Sequence, residues 1–337
     1  MSLSFILSLL AILSCSKKNN GGNDSVVPSN LNVSAVVSTD NSGNVAFTAT
    51  ATNAVSYDYD YGNGVYATIA AGSVTYKYPA SNTYTVNVTA KSSTGQTITK
   101  SIQVMVTVAM SLVWSDEFNT AGAPDASKWG YDIGAGGWGN NELQYYTNRT
   151  DNAVVSNGTL KITARKEAFS GSNYTSARLL TKNKFTTKYG KVEARMKLPA
   201  GVGTWPAFWM LGANLETAPW PACGEIDIME HKGSDEGRIY ATLHHPGHSG
   251  GNGDGGTRMF QNVTTDFHVY AVEWTAANLK FSVDGTVFYT FNNSASLPFN
   301  NPFFIIFNFA LGGTFGGPLD PAFNSAVMEV DYVRVYN

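Results

Sequence analysis

The chain has 337 residues, enough for two domains that each bury a core of their own. Lys and Arg number 22 against 25 Asp and Glu, a net charge of −3 with no basic footprint, which excludes a nucleic-acid binder. Hydrophobic residues at 43% exclude disorder over most of the length, and 17 Tyr, 18 Phe, 7 Trp and 33 Gly are the vocabulary of strands and tight turns. The composition is that of an all-β, aromatic-rich, secreted protein.

At the N-terminus, residues 3–13 (LSFILSLLAIL) form an apolar run too short to span a membrane and suited to a signal peptide. The run Ile12-Leu13-Ser14-Cys15 resembles a bacterial lipobox, in which the cysteine is lipidated. Residues 1–15 are therefore expected to be a lipoprotein signal peptide, Cys15 the lipidation site and membrane anchor, and the cell envelope the location. Residues 16–29, polar and glycine-containing, read as a flexible tether. With Cys15 modified, Cys223 has no disulfide partner. Its apolar neighbours make it a small buried hydrophobe rather than a nucleophile.

Residues 30–108 alternate with period two. Val45, Phe47, Ala49 and Ala51 share one face, as do Tyr84, Val86, Val88 and Ala90. Short strands at this spacing suit a β-sandwich. The stretch YDYDYGNG at 57–64, with Tyr76, Tyr78 and Tyr84, resembles a PKD-type immunoglobulin-like domain, here expected to act as a spacer or weak glycan binder. Residues 111–337 also read as strands: Val192, Ala194, Met196 and Leu198 alternate with charged residues, and Asp284-Gly285 marks a hairpin turn. The expected fold class is all-β, an N-terminal Ig-like β-sandwich followed by a β-jelly-roll (concanavalin-like) sandwich.

The densest chemical signal is GEIDIMEH at 224–231. In a regular strand Glu225 and Asp227 share a face, while Glu230, five positions on, points away. A β-bulge near Ile228-Met229 would turn Glu230 back and align all three carboxyls. Three acids so close cannot all ionise cheaply, so some are held protonated. Glycoside hydrolysis needs that combination, one ionised carboxylate and one protonated. The competing readings are an acidic solvent face, which Ile226 and Ile228 disfavour, and a calcium site.

This signature resembles that of glycoside hydrolase family 16 in the bulged form E-x-D-x-x-E, which marks the laminarinase-like (endo-1,3-β-glucanase) branch. The resemblance covers most of residues 111–337, with WSDEF at 114–118, NELQYY at 141–146, TWPAFWML at 204–211 and VDYVRVY at 330–336. It implies Glu225 as nucleophile, Glu230 as general acid/base and Asp227 as the group that holds the nucleophile's protonation state. It implies retention of configuration, with the two glutamate carboxyls about 5–5.5 Å apart. It also implies that Asn140, Arg178, Trp205, Trp209 and His244 line the sugar subsites or flank the acids; Trp220, close before the signature, is a further candidate for a flat sugar-binding surface, and Trp209 is the most core-like of the tryptophans. Finally, it implies a structural Ca2+ on the convex side with Glu117, Gly158 and Asp331 as the matching positions, backbone oxygens supplying part of the shell. No cofactor is expected for catalysis.

Other signals are set aside. GHSGG at 247–251 fits G-x-S-x-G, but the glycine-rich sequence after it cannot form the required helix. His244, His245 and His248 suggest zinc, yet no ligand set of known spacing completes the site. The run 247–256 reads as a mobile loop at the cleft rim, and 134–139 as a second cleft loop. The sequence thus describes a lipid-anchored monomer whose catalytic domain cuts β-1,3-glucan internally. A mixed-linkage 1,3-1,4-β-glucanase or galactan hydrolase is the rival within the family. A non-catalytic lectin is the rival outside it, and the three acids at 225, 227 and 230 argue against it.

Overall fold

The computed structural model describes residues 26–337. The expected signal peptide, Cys15 and most of the tether lie outside them. The chain divides into two compact units between Ala109 and Met110, and among the described residues the regular elements of each are almost all strands.

The first unit has seven strands in two antiparallel sheets. One orders Ser29–Val37, Asn44–Thr52 and Ser73–Lys77; the other orders Tyr66–Ile69, Ser56–Asp60, Asn82–Lys91 and Thr97–Val106. Period-two alternation sends Val45, Phe47 and Ala49 from one sheet, and Tyr57, Tyr59, Tyr84, Val86, Val88 and Ala90 from the other, into one core. Tyrosines fill much of it. Tyr61 stacks on Tyr76 and Tyr78 on Tyr84, while the buried hydroxyls of Tyr59 and Tyr78 donate to the carbonyls of Gly72 and Tyr61.

The second unit is a sandwich of two large sheets. The first follows the order Tyr145–Tyr146, Ser172–Ser176, Thr159–Phe169, Ser325–Tyr336, Gly190–Lys197, His268–Trp274, Asn278–Val283, Thr286–Asn292; Leu112–Asp116 and Ala153–Ser156 pair beside it. The second has seven strands in the order Asp254–Met259, Arg238–His244, Glu225–His231, Thr204–Gly212, Phe303–Leu311, Arg178–Leu180, Gly130–Asp132. The hairpin at Asp284-Gly285 forms as its sequence dictates, with Asp284 at φ 49° and Gly285 at φ 74°.

The core lies between these sheets. Phe208 and Met210, Ile226, Ile239, Ala241 and Leu243, and Phe303, Ile305, Phe307 and Phe309 all enter it from the seven-stranded sheet. The alternate residues of the same strands face the other way. There Leu180, Ala207, Trp209, Leu211, Cys223, Phe304 and Ile306 form a smaller buried cluster. Phe303–Leu311 is therefore buried on both faces, as its unbroken apolar run requires. Cys223 is fully buried and unpaired, consistent with a packing role.

The run 247–256 differs from the sequence expectation. It contains a single 3-10 turn, Gly250–Asn252, and then enters the strand Asp254–Met259, which pairs along Arg238–His244. Glycine permits this close pairing, because a Cβ at Gly255 or Gly256 would collide with Ala241 or Tyr289.

Candidate active site

The outer face of the seven-stranded sheet carries the acids, and strand alternation explains which residues join them. Tyr240, Thr242 and His244 come from one neighbouring strand, Trp205 and Trp209 from the other, and Asn308 from the strand beyond. Gly224 leads in with φ 82°; a Cβ there would sit 2.9 Å from Phe303 and Pro298.

The expected bulge is present. Trp209 lies opposite Asp227, Phe208 opposite Met229 and Ala207 opposite Glu230, so Ile228 has no register partner on that side. On the other side Asp227 faces Thr242 and Glu230 faces Tyr240, three steps against two. Ile228 and Met229 both belong to the core, and Glu230 returns to the face of Glu225 and Asp227.

Each acid has defined partners. The Trp220 indole N–H donates to Glu225 at 2.8 Å, and the Trp205 indole N–H donates to Glu230 at 3.0 Å. The Thr242 hydroxyl also donates to Glu230, at 3.3 Å. His244 Nε2 lies 3.3 Å from Asp227 and 3.8 Å from Glu225. Burial pushes all three carboxyls above their usual range. Repulsion from Asp227 and Glu230 adds to this at Glu225, and Glu230 adds to it at Asp227. Opposing this, His244 and Arg178 favour the ionised form of Glu225. The bonds from Trp205 and Thr242, with the charges of His244 and Lys232, favour that of Glu230. Burial and mutual repulsion thus favour protonation while the cationic and hydrogen-bonding neighbours favour charge, the opposed influences that acid-assisted displacement draws on.

A buried polar chain supports the floor beside the acids. The Trp209 indole donates to Asn308 Oδ1 at 2.7 Å, Asn308 Nδ2 donates to the Tyr146 hydroxyl at 3.0 Å, and that hydroxyl donates to Glu142 at 2.9 Å. Gln144 donates to Glu142 and accepts from the Leu311 N–H, tying the segment to the Phe303–Leu311 strand. Asn140 reaches Glu142 at 3.4 Å. Burial raises the Glu142 carboxyl above its usual range, and the bonds from Gln144, Tyr146 and Asn140 oppose it. Arg178 pairs with Asp132 at 2.9 Å, its guanidinium 4.7 Å from the Trp209 ring centre and 5.1 Å from that of Trp138.

Of the residues singled out from sequence, Trp220 and His244 contact Glu225, His244 contacts Asp227, and Trp205 contacts Glu230. Arg178 and Trp209 flank them, and Asn140 joins through Glu142. Trp209 is largely buried, as its apolar setting implies, yet its indole N–H serves the polar chain. Sequence reasoning missed Thr242, Glu142, Tyr146, Trp138 and Asn308. Asn308 carried a signal, since it is the lone polar residue in FFIIFNFAL.

The positions expected to bind calcium lie elsewhere and are otherwise engaged. Arg334 forks onto both oxygens of Glu117 at 3.0 and 2.8 Å, Arg195 holds Asp331 at 2.7 Å, and Gly158 occupies a tight turn with φ 75°. Guanidinium charge engages both side-chain carboxylates, so a divalent cation at these positions would draw mainly on backbone carbonyl oxygens.

The sequence model described as glycosyl hydrolases family 16 matches residues 140–334, a span that contains the three acids and the tryptophan, threonine and histidine side chains that contact them. The chain belongs to glycosyl hydrolases family 16. A β-glucanase of Rhodothermus marinus is 47% identical over 241 residues, covering 67% of this chain and 84% of that protein. The crystal structure of the laminarinase from Rhodothermus marinus superposes with a TM-score of 0.65 at 46% identity, over 68% of this chain and 98% of that one. The catalytic domain of an endo-1,3-β-glucanase (laminarinase) from Thermotoga petrophila gives 0.64 at 41% identity, over 68% and 98%. The family 16 unit is thus a jelly-roll-like sandwich whose seven-stranded sheet presents the signature acids.

Proposed function

We propose that this family 16 glycoside hydrolase cuts β-1,3-glucan chains internally, by double displacement with retention of configuration. The observation that carries the reading is the bulge at Ile228, which sets Glu225 and Glu230 on one face with a different indole donor on each. The similarity to laminarinases supports the choice of substrate.

In the first step the Glu225 carboxylate attacks the anomeric carbon. The bond to the glycosidic oxygen breaks, and that oxygen takes the proton of Glu230. In the second step the Glu230 carboxylate accepts a proton from water. The water oxygen attacks the same carbon, and the bond to Glu225 breaks. His244, beside Glu225 and Asp227, favours the ionised nucleophile, while the charge of Asp227 opposes it. Trp205 donates to Glu230 and so favours its charged form, which is the form that accepts the proton from water. The half-exposed Trp220 offers an apolar face to a pyranose ring while its N–H orients Glu225.

For the rest of the chain we infer a PKD-type immunoglobulin-like spacer at residues 30–108, supported by its seven strands in two sheets. The lipobox-like sequence supports anchoring through Cys15 at the cell envelope. One chain holds a complete set of site residues, which supports action as a monomer.

The test is product analysis of the purified chain on laminarin and on barley mixed-linkage glucan side by side. Rapid release of short oligosaccharides from laminarin is the expected result. Cleavage of mixed-linkage glucan with laminarin untouched would move the assignment to a lichenase, and cleavage of neither would overturn it.

A further inference from the structure

We propose that His245, His248 and Asp254 form a metal site separate from the catalytic acids, suited to zinc or a similar borderline divalent cation. Two imidazole nitrogens and one carboxylate oxygen are the donor set such ions prefer, and here three donor atoms lie within 4.8 Å of one another.

The backbone prepares this arrangement. The His248 N–H donates to the His245 carbonyl at 2.9 Å and the His245 N–H to the His248 carbonyl at 2.8 Å, closing the turn His245-Pro246-Gly247-His248. Proline at the second position and glycine at the third, with φ 84°, make this a type II turn that few other residue pairs would hold. The turn stacks the two rings with centroids 4.7 Å apart. Asp254 reaches them from the start of its strand, in register with Leu243, so the sheet rather than a loop sets its position. Its two oxygens divide between the rings, 2.9 Å from His245 Nε2 and 3.1 Å from His248 Nδ1. The sequence set the histidines aside for want of a third ligand. That ligand is Asp254, six residues beyond His248, and only strand pairing brings it back.

The plainer alternative is a hydrogen-bonded clasp that closes the turn and does nothing more. Yet the pieces of a metal site are in place. The donors already converge, so an ion has to replace the two hydrogen bonds to Asp254 but not to gather the side chains. Neutral imidazoles can move their single proton to the other ring nitrogen and free the inward one for an ion. His245 is buried while the His248 side chain is 48% exposed, which walls one side of the site and leaves a coordination position open to water. The turn follows directly on His244, whose ring touches Glu225 and Asp227. An ion here would therefore fasten the end of the strand that presents His244, and this holds whatever glycan the enzyme cuts.

The experiment uses the full chain stripped of metal by a chelator, then titrated with Co2+ and Zn2+. The expected result is one Co2+ per chain with the visible absorption of a histidine-bound ion, its displacement by one equivalent of Zn2+, and a rise in melting temperature with Zn2+. His248→Ala and Asp254→Asn should each abolish the absorption while circular dichroism and metal-free hydrolysis stay at the parent level. Absence of one-to-one binding by the parent would overturn the proposal. So would a signal that persists in both variants, and loss of that signal in Glu225→Gln would place the ion on the catalytic acids instead.

Discussion

Ile228 and Met229 are neighbours in a strand, yet both side chains lie in the sandwich core. Adjacent strand residues ordinarily face opposite ways, so this pair marks the one-residue bulge that returns Glu230 to the face of Glu225 and Asp227. The catalytic constellation is thus a consequence of backbone register. It requires no loop to fold over the acids.

The Trp205 indole bond to Glu230 stabilises the carboxylate over the carboxylic acid. Trp205→Phe removes that donor while keeping an aromatic ring beside Phe315. The Glu230 pKa should rise, moving the alkaline limb of the kcat/KM profile upward by about one pH unit, the size expected for one lost bond to a charged group. The pH dependence of hydrolysis in the variant and parent checks it, and an unmoved limb would separate Trp205 from the titration of Glu230.

His231 follows Glu230 but points to the other side, fully buried with neither ring nitrogen hydrogen-bonded. Burial lowers its pKa from 6.5 to about 4, against an opposing pull from Glu236 and Asp235. The unfolded chain therefore binds a proton that the folded chain refuses. Stability from this residue is complete above pH 6.5, falls as pH drops toward 4, and levels off below, a loss of about 3 kcal/mol over the whole span. The raised carboxyls of the acid cluster act in the opposite sense, so the comparison must be between proteins. His231→Phe should flatten the acid-side decline in urea-unfolding free energy between pH 7 and 4.5. An identical slope in parent and variant would show that His231 is not the group responsible.

Glu117 and Asp331 are held by Arg334 and Arg195. A Ca2+ ion held by backbone carbonyls would leave these ion pairs closed, so adding Ca2+ to the chelator-stripped chain should raise the melting temperature equally in the parent and in Glu117→Gln. A calcium-dependent rise lost in Glu117→Gln would mean that these ion pairs open to admit the ion.

Much of this was legible in the sequence because alternation is a local property. Glu225, Asp227 and the need for a bulge before Glu230 follow from counting along one strand, and Val45, Phe47 and Ala49 declare their shared face in the same way. What was hidden depends on pairing between distant segments. Glu142 meets Tyr146 within one segment, but the chain from Tyr146 to Asn308 to Trp209 spans three strands far apart in sequence. Thr242 reaches Glu230 only through strand register. The same limit explains the glycine-rich run 247–256, whose composition suggests a loop although Asp254–Met259 pairs as a strand. It also explains the calcium positions, where the acids are in place but the arginines that claim them come from elsewhere in the chain.

Glu225 and Glu230 are assigned as the nucleophile and the acid/base of a retaining hydrolysis. Proton NMR of the reducing ends first released from laminarin, followed before mutarotation, tests it most directly. The parent chain should release the β-anomer at the outset, and folded Glu225→Gln or Glu230→Gln should show no measurable turnover. Initial release of the α-anomer, or full activity in either variant, would contradict it.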